Sequence, residues 1–242
     1  MLKKTLLIFL ITFSIYVNAQ TTTQQRTQPT LDENTIVRGE DGMVYPYKLW
    51  KAYLQTGKYS LKSRNTKMED GRPEFVIFEL TEAQRNTMME KMPKPRPSEA
   101  FKEGEHFNGF KTSDINGNKF DLKNTTGKVV VLNFWFINCP PCKSEIPDLN
   151  ELVNRYRDNK DVIFLAIALD DRYEIKDFLK TIPFNYNIVD NGRFLSDKFN
   201  VKSYPTHVVI DKTGTIKFST VGLAVNTIAW VKKSIDESLA AN

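Results

Sequence analysis

Residues 129–136, Val-Val-Val-Leu-Asn-Phe-Trp-Phe, form a run of β-branched and aromatic side chains broken only by Asn133. The run is long enough for one buried strand. Ile146, Leu149, Leu152/Val153 and Tyr156 then recur at helical spacing. Between the two lies Cys139-Pro140-Pro141-Cys142. Proline is favoured in the first turn of a helix, where its missing N–H costs nothing. The pattern therefore predicts a strand, a short loop, and a Cys-x-x-Cys at the start of a helix. Unpaired backbone N–H groups and the positive end of the helix dipole stabilise a thiolate there.

Upstream, Pro46 opens a predicted helix with Leu49, Trp50, Tyr53 and Leu54 on one face, and Gly57 closes it. Residues 59–63 and 74–80 read as strands. Thr81-Glu82-Ala83-Gln84 has the spacing of a capping box, which predicts a helix to about Met92. Pro93, Pro95 and Pro97 make a stiff linker over 93–103. Residues 35–92 are thus a small α/β module carrying no recognisable chemistry, with its aromatics assigned to a core.

Downstream, residues 110–121 read as a hairpin turning at Asn116-Gly117. Residues 162–169 are another buried strand. Asp171, with Glu174 three residues on, caps a helix through Lys180. A short strand at 186–189 and a short helix near 195–199 follow. Residues 207–210 and 216–221 form a hairpin around Lys212-Thr213-Gly214, and Asn226 caps a last helix through Leu239. Strands separated by helices imply parallel pairing, and the closing hairpin is antiparallel. The expected fold is α/β: a mixed central sheet with helices on both faces, over 104–242.

The 242 residues are 26% charged and 40% hydrophobic, which allows one domain plus extra material or two small domains. Residues 1–19 read as a secretory signal peptide. Lys3-Lys4 is the charged start, residues 6–17 are mostly apolar, and Val17-Asn18-Ala19 precedes a cut at Ala19/Gln20. The apolar stretch, about 12 residues, is short of the ~20 that span a bilayer. An uncleaved anchor is the alternative, and a lipid anchor is not expected because no cysteine lies near the cut. Residues 20–34, rich in Thr and Gln, are a flexible lead-in. Loss of Lys3 and Lys4 takes the formal charge from +5 to +3. There is no basic block with interleaved aromatics, so no nucleic-acid partner is expected.

The signal places the mature protein outside the cytoplasm, periplasmic or otherwise extracytoplasmic, where disulfides persist. A stapled scaffold would carry more than two cysteines, so a working pair is expected. A bond across two residues closes almost no loop and would add little stability.

The order strand, Cys-x-x-Cys at a helix start, βα, then Tyr204-Pro205-Thr206 before a terminal hairpin and helix resembles the thioredoxin fold. Residues 128–135, the Cys139-Pro140-Pro141-Cys142 pair, Glu145, Pro147 and an insertion over 173–189 are similar to the TlpA/ResA-like thiol-disulfide oxidoreductases of bacterial envelopes. The resemblance covers about residues 104–240. It implies protein-disulfide reduction, as in that family's cytochrome c maturation members, with no cofactor. The implied partners are substrate proteins with cysteine pairs and an upstream envelope or membrane electron donor. Cys139, first in the motif, is expected to be the more exposed sulfur and the attacking thiolate. Cys142, one turn on and more buried, resolves the mixed disulfide.

Glu145 shares a helix face with Cys142, Leu149 and Leu152, so partial desolvation favours its protonated form and proton exchange with Cys142. Thioredoxin carries a buried Asp six residues before its first cysteine; Asn133 stands there in this chain. The resemblance further implies a cis Pro205, with Tyr204, Pro205 and Thr206 beside the substrate. Family members often have Trp before the first cysteine. Asn138 replaces it, which should open access to Cys139, while Trp135 is packed.

Two rival readings stand beside this one. A Sco-like copper protein would use Cys139, Cys142 and His207, but that family spaces its cysteines by three residues and the ligand count is low. Two Cys and two His do not make a closed zinc site either. A non-catalytic adaptor would instead bind a partner through 35–92. A peroxiredoxin would place Pro and Thr where Leu132 and Phe136 stand.

Overall fold

The computed structural model describes residues 31–67 and 71–241. The signal segment 1–19 and most of the lead-in lie outside the described residues.

Four strands form a first sheet: β1 (Ile36–Arg38), β2 (Val44–Tyr45), β3 (Tyr59–Lys67) and β4 (Pro73–Glu79), in the order β2-β1-β4-β3. β1 and β4 are parallel and the other pairs antiparallel. Helix α1 (Tyr47–Gln55) packs Trp50, Tyr53 and Leu54 against Val37, Phe75 and Ile77. Leu49, expected on the same face, is 40% exposed. One residue is 100° of helix, and the 50/53/54 stripe sets the buried side. β3 runs beyond the expected 59–63 because its polar tail stays paired with β4 as far as Lys67 opposite Pro73. Helix α2 (Glu82–Lys91) has the capping box at Thr81 and Gln84.

The proline segment does not span open space. Thr220 Oγ1 and the Val221 N–H donate to the Arg96 carbonyl, and Ser219 Oγ donates to Phe101 O. The segment is therefore held along the edge of a later strand.

After the hairpin β5 (Lys111–Ser113) and β6 (Lys119–Asp121), the central sheet is built from β7 (Val129–Trp135), β8 (Val162–Ala168), β9 (Asn187–Val189), β10 (Thr206–Ile210) and β11 (Ile216–Val221), ordered β11-β10-β7-β8-β9. β7, β8 and β9 are parallel; β10 runs antiparallel to β7 and to β11. All seven residues of β7 are buried. A strand covered on both faces reads as a continuous apolar run, which explains the sequence pattern.

The alternation of β7 divides the core. Val129, Val131 and Trp135 face α3 (Pro140–Arg155), α4 (Arg172–Phe178) and α6 (Thr227–Ala240) through Ile146, Leu149, Ile175, Val231 and Ile235. Val130, Leu132 and Phe134 face Phe101, Phe107 and α5 (Arg193–Lys198). Asp171 and Glu174 close the capping box of α4. The Asn226 side chain makes no cap on α6; its Nδ2 donates to the carbonyl of Pro93. That bond turns the amide toward the docked proline segment, and its oxygen does not accept from the first N–H groups of the helix as a local reading expects.

Candidate active site

The loop between β7 and α3 is pinned on both sides. The Leu169 N–H donates to Trp135 O, and the Ile137 N–H donates to Asp170 Oδ2 at 2.8 Å. Burial raises the Asp170 carboxyl above its ordinary value, while the Ile137 bond opposes the rise. Cys139 is the N-cap of α3, with Pro140 and Pro141 in the first turn. The first N–H the helix offers is therefore that of Cys142, 3.2 Å from Cys139 Sγ. The two cysteines are disulfide-bonded, with Cα atoms 5.3 Å apart.

The expected difference in exposure between the sulfurs is absent in this oxidised form. Cys139 is 3% exposed and Cys142 2%. Bonded to Cys142, the Cys139 sulfur is turned back onto the helix, and its neighbours Asn138 and Pro140 carry the surface. The small side chain of Asn138 does not by itself uncover the sulfur.

Tyr204-Pro205 is a cis peptide bond. The Tyr204 ring meets Phe136 edge-on at 5.4 Å, which sets this segment against the loop before Cys139. Tyr204 is half-buried and Pro205 is buried. Thr206 is buried and its hydroxyl donates to Ser203 O, so its side chain braces the turn rather than facing outward.

Glu145 is 4% exposed. Its Oε2 lies 3.0 Å from His207 Nε2, and His207 is fully buried. Nδ1 of the same ring lies 3.5 Å from Asn133 Nδ2. Both residues are on strands whose odd-numbered positions face α3, and they are register partners across β7 and β10. Oε1 of Glu145 and Oδ1 of Asn133 are buried without a hydrogen-bond partner among the described residues, as is the Tyr186 hydroxyl. Burial, and next the charge of Glu145, push the Tyr186 phenol well above its ordinary range.

Sequence reasoning singled out Glu145 but weighed His207 as a copper ligand or an ordinary packed or surface residue of a strand, and Asn133 as a missing acid. The signal was present: each is the polar interruption of an apolar strand at an inward-facing position. One of the two ring nitrogens of His207, Nε2, is already bonded to the Glu145 carboxyl group. Among the described residues no group of three His, Cys, Asp or Glu is placed to hold a metal. Trp135 is packed, as expected, against Phe178 and Phe184.

The AhpC/TSA family matches residues 104–219. The thiol-disulfide oxidoreductase ResA of Bacillus cereus is 33% identical over 121 residues, 49% of this chain and 69% of its own length. The thioredoxin-like protein YneN of Bacillus subtilis is 29% identical over 139 residues, 57% of this chain and 78% of its own. Among solved structures, a Chlorobium tepidum chain assigned as the thiol:disulfide interchange protein DsbE superposes with a TM-score of 0.52 at 25% identity, over 58% of this chain and 99% of that one. A Bacteroides thetaiotaomicron chain shares the fold with a TM-score of 0.54 at 23% identity, over 61% of this chain and 96% of that one. With a disulfide at the N-cap of α3 and a third of its residues shared with ResA across that segment, the chain belongs to the ResA-like thiol-disulfide oxidoreductases of the thioredoxin-like superfamily.

Proposed function

We propose that the protein works outside the cytoplasm as a reductant of protein disulfides, recharged by an envelope or membrane electron donor. The observation that carries this reading is the N-cap disulfide beside the Tyr204-Pro205 turn, in a chain with two cysteines. The charged and apolar start of the chain supports the location. The substrate class is a protein with a cysteine pair, of which the pair in an unfinished c-type cytochrome is one example.

In the reduced protein the Cys139 thiolate attacks a substrate disulfide. One substrate sulfur leaves as thiolate and a mixed disulfide forms on Cys139. The Cys142 thiol gives up its proton, attacks Sγ of Cys139, and the second substrate thiolate leaves. Two electrons pass to the substrate and the Cys139–Cys142 bond closes. In this reading Glu145 takes that proton, which its burial one turn after Cys142 on the same helix supports. Tyr204 and the backbone before Pro205 line the approach of the substrate chain, with Thr206 bracing them. Residues 35–92 form a separate module held against this unit, with Lys58–Asp148 and Arg155–Glu82 ion pairs at its margin.

Equilibration of the pair against a glutathione or dithiothreitol series tests the direction. A reductant is expected to lie near thioredoxin's potential of about −270 mV. A value near about −120 mV would assign the protein to oxidation instead.

A further inference from the structure

We propose that His207, backed by Asn133, is the positioning residue that makes Glu145 a proton store for Cys142. The inference rests on the exchange reading above and deepens it. Three buried side chains form one line through the sheet face under α3: Asn133 on β7, His207 on β10 and Glu145 on α3. The line ends on the helix that carries Cys142, one turn away.

A lone carboxylate is costly in a site this buried, and a second proton on the imidazole makes the pair neutral. The Asn133 amide fits that form. As placed, its Nδ2 faces Nδ1 and its Oδ1 has no partner. Turned by 180°, the same amide accepts from Nδ1–H through Oδ1, and Nε2–H donates to Glu145 Oε2. The turned Nδ2 then takes the place where Oδ1 has no partner. Oε1 of Glu145 keeps a free lone pair for the Cys142 proton.

The surroundings supply little competition. Cys142 lies one turn before Glu145 on α3; the Tyr186 phenol before β9 feels the Glu145 charge, and Thr220 is the cross-strand neighbour of His207 on β11. On β8, Ala166 stands opposite Asn133. The buried positions of α6 are Thr227, Val231, Ser234, Ile235 and Ser238, none ionisable.

The balance is then local. The reduced protein holds the Cys139 thiolate, the Cys142 thiol, neutral His207 and the Glu145 carboxylate. When Cys142 attacks the mixed disulfide, its proton passes to the Glu145–His207 pair, its electron pair forms the new S–S bond, and the substrate thiolate leaves. The oxidised protein holds the proton on the pair, so no solvent proton enters the resolving step.

The test uses the 5-thio-2-nitrobenzoate mixed disulfide that Ellman's reagent forms on the reduced full-length protein. Release of the second thionitrobenzoate reports attack by Cys142. From pH 6 to 8 the unaltered protein is expected to change its release rate less than about threefold. His207→Gln keeps an amide donor but cannot store a proton. Its rate is expected to climb about tenfold per pH unit and to be at least about tenfold slower at pH 6, because Cys142 must first lose its proton to solvent. Glu145→Gln should give the same profile, and the double variant no further loss. Asn133→Leu, which removes the Nδ1 partner, should fall between the two and carries the test if His207→Gln fails to fold. A merely structural histidine would lower the rate equally at every pH, and such parallel profiles overturn the proposal while leaving the exchange reading intact. Absence of any second release in the unaltered protein overturns the exchange reading and this inference with it.

Discussion

Cys139→Ser is expected to lower the rate of insulin-disulfide reduction by at least about a thousandfold, to the uncatalysed background. Cys142→Ser is expected to do something different: it should trap a covalent adduct with the substrate on residue 139. The asymmetry follows from position on α3. Cys139 caps the helix, and the first donor past the two prolines, the Cys142 N–H, lies against its sulfur at 3.2 Å. That donor and the helix dipole favour the anion on Cys139, and only a thiolate attacks a disulfide at a useful rate. Cys142 has the second task. Without it the mixed disulfide forms and has no internal sulfur to displace the substrate. Non-reducing gels and peptide mapping read both outcomes. An adduct that accumulates on Cys142 in Cys139→Ser, with none in Cys142→Ser, would reverse the roles.

Phe134→Ala is expected to cost about 3–5 kcal/mol of stability. Phe134 is fully buried in the central strand, with Phe101 at 5.6 Å and Phe199 at 6.5 Å between ring centroids. It sits where the proline segment, α5 and the sheet converge. The truncation leaves a cavity that three separately tethered segments cannot close together, so relaxation recovers little. Against a total of about 5–15 kcal/mol for an ordinary domain, the loss is a large share. It falls on the face opposite the cysteine pair, so the folded fraction should keep its reduction potential. Urea titration of the oxidised protein measures the first effect and dithiothreitol equilibration the second. A loss under about 1 kcal/mol would mean that the aromatic cluster does not hold the proline segment and α5 onto the sheet.

What was legible in the sequence was what is local. The β7 run, the prolines after Cys139 and the Asp171/Glu174 capping box each carry their structural instruction within a few residues, and each appears in the fold as read. Leu49 was misplaced because adjacent apolar residues leave the helix phase ambiguous by one position. The Asn226 cap was lost to a partner 133 residues away, the Pro93 carbonyl, which no local window contains. The Glu145–His207 contact spans 62 residues. Each partner was visible alone, one as an acid on an apolar stripe and the other as a polar break in a strand. Only strand order, which brings β10 beside β7, joins them. The covering of Cys139 was invisible for another reason: it is seen with the disulfide closed, and residue spacing carries no redox label.

That covering makes one measurement decisive. In the oxidised protein Cys139 and Cys142 are almost equally shielded, so the roles assigned to them depend on what opens when the bond is cut. The fully reduced protein is pulsed with iodoacetamide at neutral pH and the modified cysteine-bearing peptides are counted by mass spectrometry. Cys139 should be modified at least about tenfold faster than Cys142. Equal rates at the two positions would contradict the account, because no sulfur would then be presented to a partner chain.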